Sequence, residues 1–193
     1  MASTRFYRLR RPEPPWGDYG DMLLHGMAAR SKAGDLELER TGPFVPPISQ
    51  PGRFVVVTAE FLNRLRESGL NGIESGPVQK KRIPLLEWRE WEPFGTKEMK
   101  YPAGNEPENY ILRRKHSPEA AQQLGELYEL RFRKGIQISR DGGYHLVASS
   151  WDGSDFVVAM DDHPIYNYVS ERARDWLMQN ATEWVAFESE KAE

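Results

Sequence analysis

Two stretches, FVVVTAEFLNRLRESGLNGIE at residues 54–74 and NYVSERARDWLMQNATEWVAF at residues 167–187, read as versions of one pattern. In the first, the run from Phe54 to Val57 is apolar and β-branched, as a buried strand is. Thr58 can cap a helix by accepting from a free N–H of its first turn. Phe61, Leu62 and Leu65 follow at helical spacing, Gly69 suits a left-handed terminator, and Ile73 opens another extended piece. Placing Ser170 over Thr58, a shift of 112 positions, brings Val169 onto Val57, Leu177 onto Leu65 and Val185 onto Ile73 without a gap. Ser170 is a second N-cap, Ala173 takes the place of Phe61, and Trp176 adds apolar bulk beside Ala173 and Leu177. The pattern predicts an α+β fold with a mixed or antiparallel sheet and two related strand–helix–strand copies. Two unrelated capped helices after strands would give the same text.

Around these copies the chain of 193 residues is long enough for a single domain with a real core. Seven of its 14 prolines precede residue 52, in RPEPPWG and GPFVPPISQPG, which marks residues 1–52 as an extended Pro-rich arm with short strands at RFYRL and LELE. Residues 53–83 hold the first copy. Residues 84–135 combine an irregular aromatic and acidic segment with a helix capped by Ser117 and started by Pro118. Residues 136–160 read as a β-meander, because Asp141-Gly142-Gly143 and Asp152-Gly153 punctuate strand-like runs. Residues 161–193 hold the second copy and a tail.

Composition narrows the function. Net charge is −3, with Lys+Arg 26 against Asp+Glu 29, which supplies no basic field for nucleic acid. No apolar run approaches the roughly 18 residues of a membrane span, and no apolar stretch follows the arginines of MASTRFYRLRRPEPP, so a soluble, cytoplasmic protein is expected. The absence of cysteine removes disulfides, thiolate zinc sites and a cysteine nucleophile. His25, His116, His145 and His163 lack the spacing that aims two imidazoles at one metal, and phosphate loops and nucleophile elbows are missing. No cofactor or metal is expected. Asp161, Asp162 and His163 in MDDHP, and Asp152 and Asp155 in SWDGSD, look more like turns than cation ligands. Glu87, Glu90 and Glu92 lie beside Trp88 and Trp91, where burial against indole could raise a carboxyl pKa for acid–base work. Singly these glutamates read as a wet face. As a segment with Tyr101 they read as a recognition surface, in which aromatic anchors are surrounded by acids that meet a partner's lysines and arginines.

FYRLR at the start, FVVVTAEFLNRLRESGLNGIESGPV in the middle, and SDFVVAM leading to YNYVSERARDWL and EWVAFES at the end together resemble the immunity proteins of bacterial polymorphic toxin systems. The likeness is to the family numbered eleven and its double-CXXCG relatives, and it spans nearly the whole chain. The CXXCG pairs are missing here, so no zinc is carried over, and Ala181-Thr182 stands where a Gly-containing helix end is usual. The resemblance implies a non-enzymatic protein of interbacterial competition that binds a cognate toxin domain and blocks it; the acidic balance of the chain suits a basic toxin surface, and occlusion is the expected mode of inhibition. The contact residues expected on this reading are Trp88, Glu90, Trp91, Glu92, Tyr101, Trp151, Asp152, Asp155, Asp161 and Asp162. The competing readings are a small hydrolase or transferase with a carboxylate-based site, and an adaptor. The sequence does not indicate an oligomeric state.

Overall fold

Ser170, at the start of the second copy, accepts through its Oγ from the N–H of Ala173 at 3.2 Å, and Thr58, at the start of the first, accepts from the N–H of Phe61 at 3.2 Å. Both caps act three residues ahead, which is what a shift of 112 demands. The computed structural model describes residues 5–92, 100–140, 145–160 and 164–192. The elements in chain order are β1 (Arg5–Arg10), α1 (Asp18–His25), β2 (Met27–Arg30), β3 (Leu36–Glu39), β4 (Ile48–Ser49), β5 (Val55–Thr58), α2 (Ala59–Glu67), β6 (Ile73–Arg82), α3 (Asn109–Leu112), α4 (Pro118–Gln123), β7 (Leu127–Ser139), β8 (His145–Val147), β9 (Phe156–Met160), β10 (Pro164–Ser170), α5 (Glu171–Ala181) and β11 (Ala186–Lys191). The fold is α+β with mixed strand pairing, and both strand–helix–strand copies are formed, as β5–α2–β6 and β10–α5–β11. Equivalent positions are buried in pairs: Val57 with Val169, Phe61 with Ala173, Leu65 with Leu177.

The helix ends differ. Gly69, at φ 72, takes the left-handed conformation after α2, and Ser68 helps to close that helix by donating to the carbonyl of Leu65 at 2.6 Å. Thr182 after α5 stays in the right-handed region, and the chain turns instead through the N–H of Trp184, which donates to the carbonyl of Ala181 at 2.8 Å. Ala181-Thr182 thus ends its helix without glycine.

The chain divides into two compact units whose boundaries fall between β1 and α1 and inside α2, β6 and β7. One comprises Met1–Pro12, Asn63–Ser75 and Leu130–Glu193. Its strands run in the order β11–β1–β10–β9–β7, with β8 on β7, and Leu146 beside β11's end bridges to Ala192. The row of strands thereby curls back on itself. Phe6, Ile136, Leu146, Val157, Ala159, Tyr168 and Ala192 fill its interior, nearly one residue from each strand. Strand β1 is central, antiparallel to β10 through Phe6–Ser170 and to β11 through Phe6–Glu190. The expected β-meander is not what forms. β8 is antiparallel to β7, but β9 is parallel to it, because after a 3-10 turn at Ala148–Ser150 the chain crosses over instead of doubling back. Asp152-Gly153 lies in that crossover, where Oδ1 of Asp152 accepts from the N–H of Ser154 at 3.0 Å.

The second unit comprises Glu13–Leu62 and Gly76–Glu129. β2 is antiparallel to β3, β3 is parallel to β6, and β4 is antiparallel to β5. Leu36, Leu38, Val56, Val78 and Leu127 make one core cluster, and Ile83 with Ala120, Ala121 and Leu124 another. Helix α4 is capped as read, Oγ of Ser117 accepting from the N–H of Ala120 at 3.1 Å ahead of Pro118. The Pro-rich segment carries the strands expected at RFYRL and LELE, and also helix α1, which its prolines concealed. No helix of the described residues is long and apolar enough to cross a membrane.

Candidate functional site

Seven aromatic rings of the second unit touch in succession: Phe44, Trp88, Trp16, Trp91, Tyr110, Tyr19 and Tyr101, at centroid distances of 5.5, 6.4, 5.8, 5.3, 6.1 and 4.8 Å. Most meet edge to face, the arrangement the ring quadrupoles favour. Local structure delivers each ring. Trp16 has φ 64, a left-handed backbone that is costly for a residue with a Cβ, and its indole sits between those of Trp88 and Trp91. Tyr19 rides on α1 and donates to the carbonyl of Asn105 at 2.6 Å. Trp88 is presented by a 3-10 turn whose N-cap, Glu87, accepts from the N–H of Arg89 at 3.2 Å. Tyr110, on α3, donates to the carbonyl of Lys100.

Burial alternates along the succession, and its last ring reaches solvent. Trp88 is 6% exposed and Tyr110 fully buried, Trp16, Tyr19 and Trp91 are half-buried, and Tyr101 is 57% exposed. Burial pushes the Tyr110 hydroxyl up to about 12, against the lowering effect of Arg114. Burial also raises Tyr19, helped by Tyr101, Glu106 and Asp18, which marks this end as electronegative. Glu90, Glu92 and Glu106 are exposed nearby in sequence, while Arg89 stacks 4.1 Å over the ring of Phe44. Trp91, Tyr101, Glu90 and Glu92 are therefore available to a partner, and Trp88 is a core residue.

The second group of expected contact residues lies in the other unit, and only part of it faces solvent. Asp152 is exposed. Trp151 is half-buried, edge-on to Phe6 at 5.1 Å, with its indole N–H donating to the carbonyl of Ser154 at 2.9 Å. Asp155 is 4% exposed and works as a brace. Its carboxylate accepts from the N–H of Asn71 at 3.0 Å, from Oγ of Ser170 at 2.7 Å and from Nε of Arg172 at 3.1 Å, and Arg172 adds a second, ion-paired contact through Nη2. Burial alone would raise its pKa, but the bonds from Arg172, Asn71 and Ser170 outweigh that and hold it below the ordinary carboxyl value. This brace ties the loop after α2 to the start of α5, and Arg64 and Asn180 join the same two helices. Asp161 and Asp162 lie outside the described residues, as does His163.

Sequence reasoning passed over Trp16, Tyr19 and Tyr110. The signal for the first two was the aromatic pair in PPWGDY, hidden by its prolines. Among the described residues no three His, Asp or Glu side chains gather as a metal site would require. Comparison with protein families, with curated proteins and with solved structures gives no match to this chain.

Proposed function

We propose that this chain is an immunity protein that binds a cognate toxin domain in the cytoplasm and neutralises it by occluding its active site or substrate surface. The observation that supports this reading is the aromatic succession, anchored by buried Trp88 and Tyr110 and ending at exposed Tyr101, with Glu90, Glu92 and Glu106 exposed in the flanking segments. Rings held by other rings lose little freedom on binding, and carboxylates beside them attract lysine and arginine while repelling acidic partners. The resemblance in FYRLR, in the two capped copies and in SDFVVAM gives the same reading.

The test is co-expression with the C-terminal domain of a toxin encoded beside this chain. Cells should survive induction of that domain only when the chain is present, and the two should co-purify. Survival unchanged by the chain, with no co-purification, would defeat the proposal.

A further inference from the structure

Arg40 is the largest fully enclosed side chain among the described residues, with 0% of its surface exposed. It continues the line of β3, its N–H donating to the carbonyl of Arg82 at 3.0 Å. Its Nε donates to the carbonyl of Thr41 at 3.1 Å and its Nη2 to that of Phe44 at 3.3 Å. Both acceptors are neutral. Among the described residues no counter-charge faces the guanidinium, and burial pulls it down to about 9, so at neutral pH it still carries its proton. An enclosed charge without a counter-charge costs several kcal/mol.

Three buried polar atoms in this part of the unit have no hydrogen-bond partner among the described residues: Nη1 of Arg40, Oγ1 of Thr41 and Nε1 of Trp88. Thr41 supplies the carbonyl that takes Nε, and Trp88 packs edge-on against Phe44, the residue whose carbonyl takes Nη2. Guanidinium and indole can only donate, and a threonine hydroxyl can donate too. A water at such a place meets hydrogen bonds but leaves the charge. A small anion meets both.

We propose that Arg40, with Trp88 and Thr41 as flanking donors, holds a small inorganic monoanion of halide size inside the unit formed by Glu13–Leu62 and Gly76–Glu129. Complete enclosure of the guanidinium selects a monatomic ion over phosphate or an organic carboxylate. The anion is taken up with folding and stabilises the folded state by mass action.

The full chain, exchanged into sodium gluconate, is melted while chloride or bromide replaces gluconate at constant ionic strength. A saturable rise in Tm of several degrees is expected with either halide. Arg40→Met should abolish the rise, and Trp88→Phe should move its midpoint to higher halide. Crystals of the unaltered protein soaked in bromide should show an anomalous peak within hydrogen-bonding reach of Nη1 of Arg40, a measurement that decides the matter even if Arg40→Met does not fold. Superimposable melting in gluconate and halide, or a water at Nη1 with no anomalous peak, overturns the proposal.

Discussion

Oγ of Ser170 donates to Oδ1 of Asp155 at 2.7 Å while accepting from the N–H of Ala173 at 3.2 Å, so one hydroxyl starts α5 and also holds the loop that leads into β9. Ser170→Ala should therefore cost more than loss of a cap. A cap is worth about 1 kcal/mol, and a donor withdrawn from a buried carboxylate about 1–2 more. Thr58→Ala, at the equivalent place, should cost about 1 kcal/mol. Urea unfolding of the two variants measures the difference. Equal losses would show that the bond to Asp155 contributes nothing.

Asp155 itself should shape the acid limb of stability. Its carboxyl is lowered in the folded state, so its contribution is present above the unfolded value near 4 and disappears as pH falls through the folded value. Relative to the parent, Asp155→Asn should be less stable at pH 7 and should lose less further stability between about pH 4 and pH 2. Parallel pH curves for the two proteins would place the acid sensitivity elsewhere.

Trp88 and Tyr101 should separate folding from binding. Trp88→Ala empties a core position and should cost about 3–5 kcal/mol. Tyr101→Ala should leave Tm nearly unchanged and weaken the toxin complex by about tenfold or more. Calorimetric melting paired with titration against the toxin domain reads both. A Tyr101→Ala protein with the parent's affinity would move the interface away from the aromatic succession.

Arg30 pairs with the buried carboxylate of Glu129, and its guanidinium carbon stands 5.3 Å from the centroid of the Phe54 ring. Because the arginine is partly exposed, Arg30→Ala should cost about 2 kcal/mol, mostly the penalty of an enclosed carboxylate deprived of its cation. Glu129→Gln combined with Arg30→Ala should recover part of that loss. If the double variant is no better than Arg30→Ala alone, charge is not the cause.

A chain without cysteine and without paired histidines should not depend on a structural divalent cation. EDTA should leave its Tm unchanged in a thermal melt, and a drop of several degrees would reveal a cation site.

The two copies were legible because caps and apolar spacing are local. Thr58, Ser117 and Ser170 each do in space what their neighbours in sequence require. Strand partners are not local. Nothing in YHLVAS or DFVVAM tells whether β9 will lie parallel or antiparallel to β7, and Asp152-Gly153 serves a crossover as readily as a hairpin since both want a left-handed glycine, here at φ 83. Helix α1 was masked by prolines that end before Trp16. At the candidate site, composition gave the aromatic and acidic character of residues 85–110 but not which rings face inward. Trp88 and Trp91 are three residues apart, and only the packing of Trp16 and Phe44 decides that the first is core. Asp155 shows the same limit, since an Asp in a Gly-Ser turn looks solvated until Arg172 and Ser170 arrive from 15 or more residues away.

The central place of β1 has a consequence for biosynthesis. Arg5–Arg10 is made more than about 150 residues ahead of both of its neighbours, β10 and β11. At translation speeds of about 5–20 residues per second, Phe6 and Tyr7 wait on the order of ten seconds or more before the strands that cover them exist. During that interval Phe6, Tyr7 and Leu9 of the nascent chain have nothing to cover them. Slowing translation over the last copy should raise the fraction that aggregates, and a permuted gene that places β1 after β11 should shorten the wait.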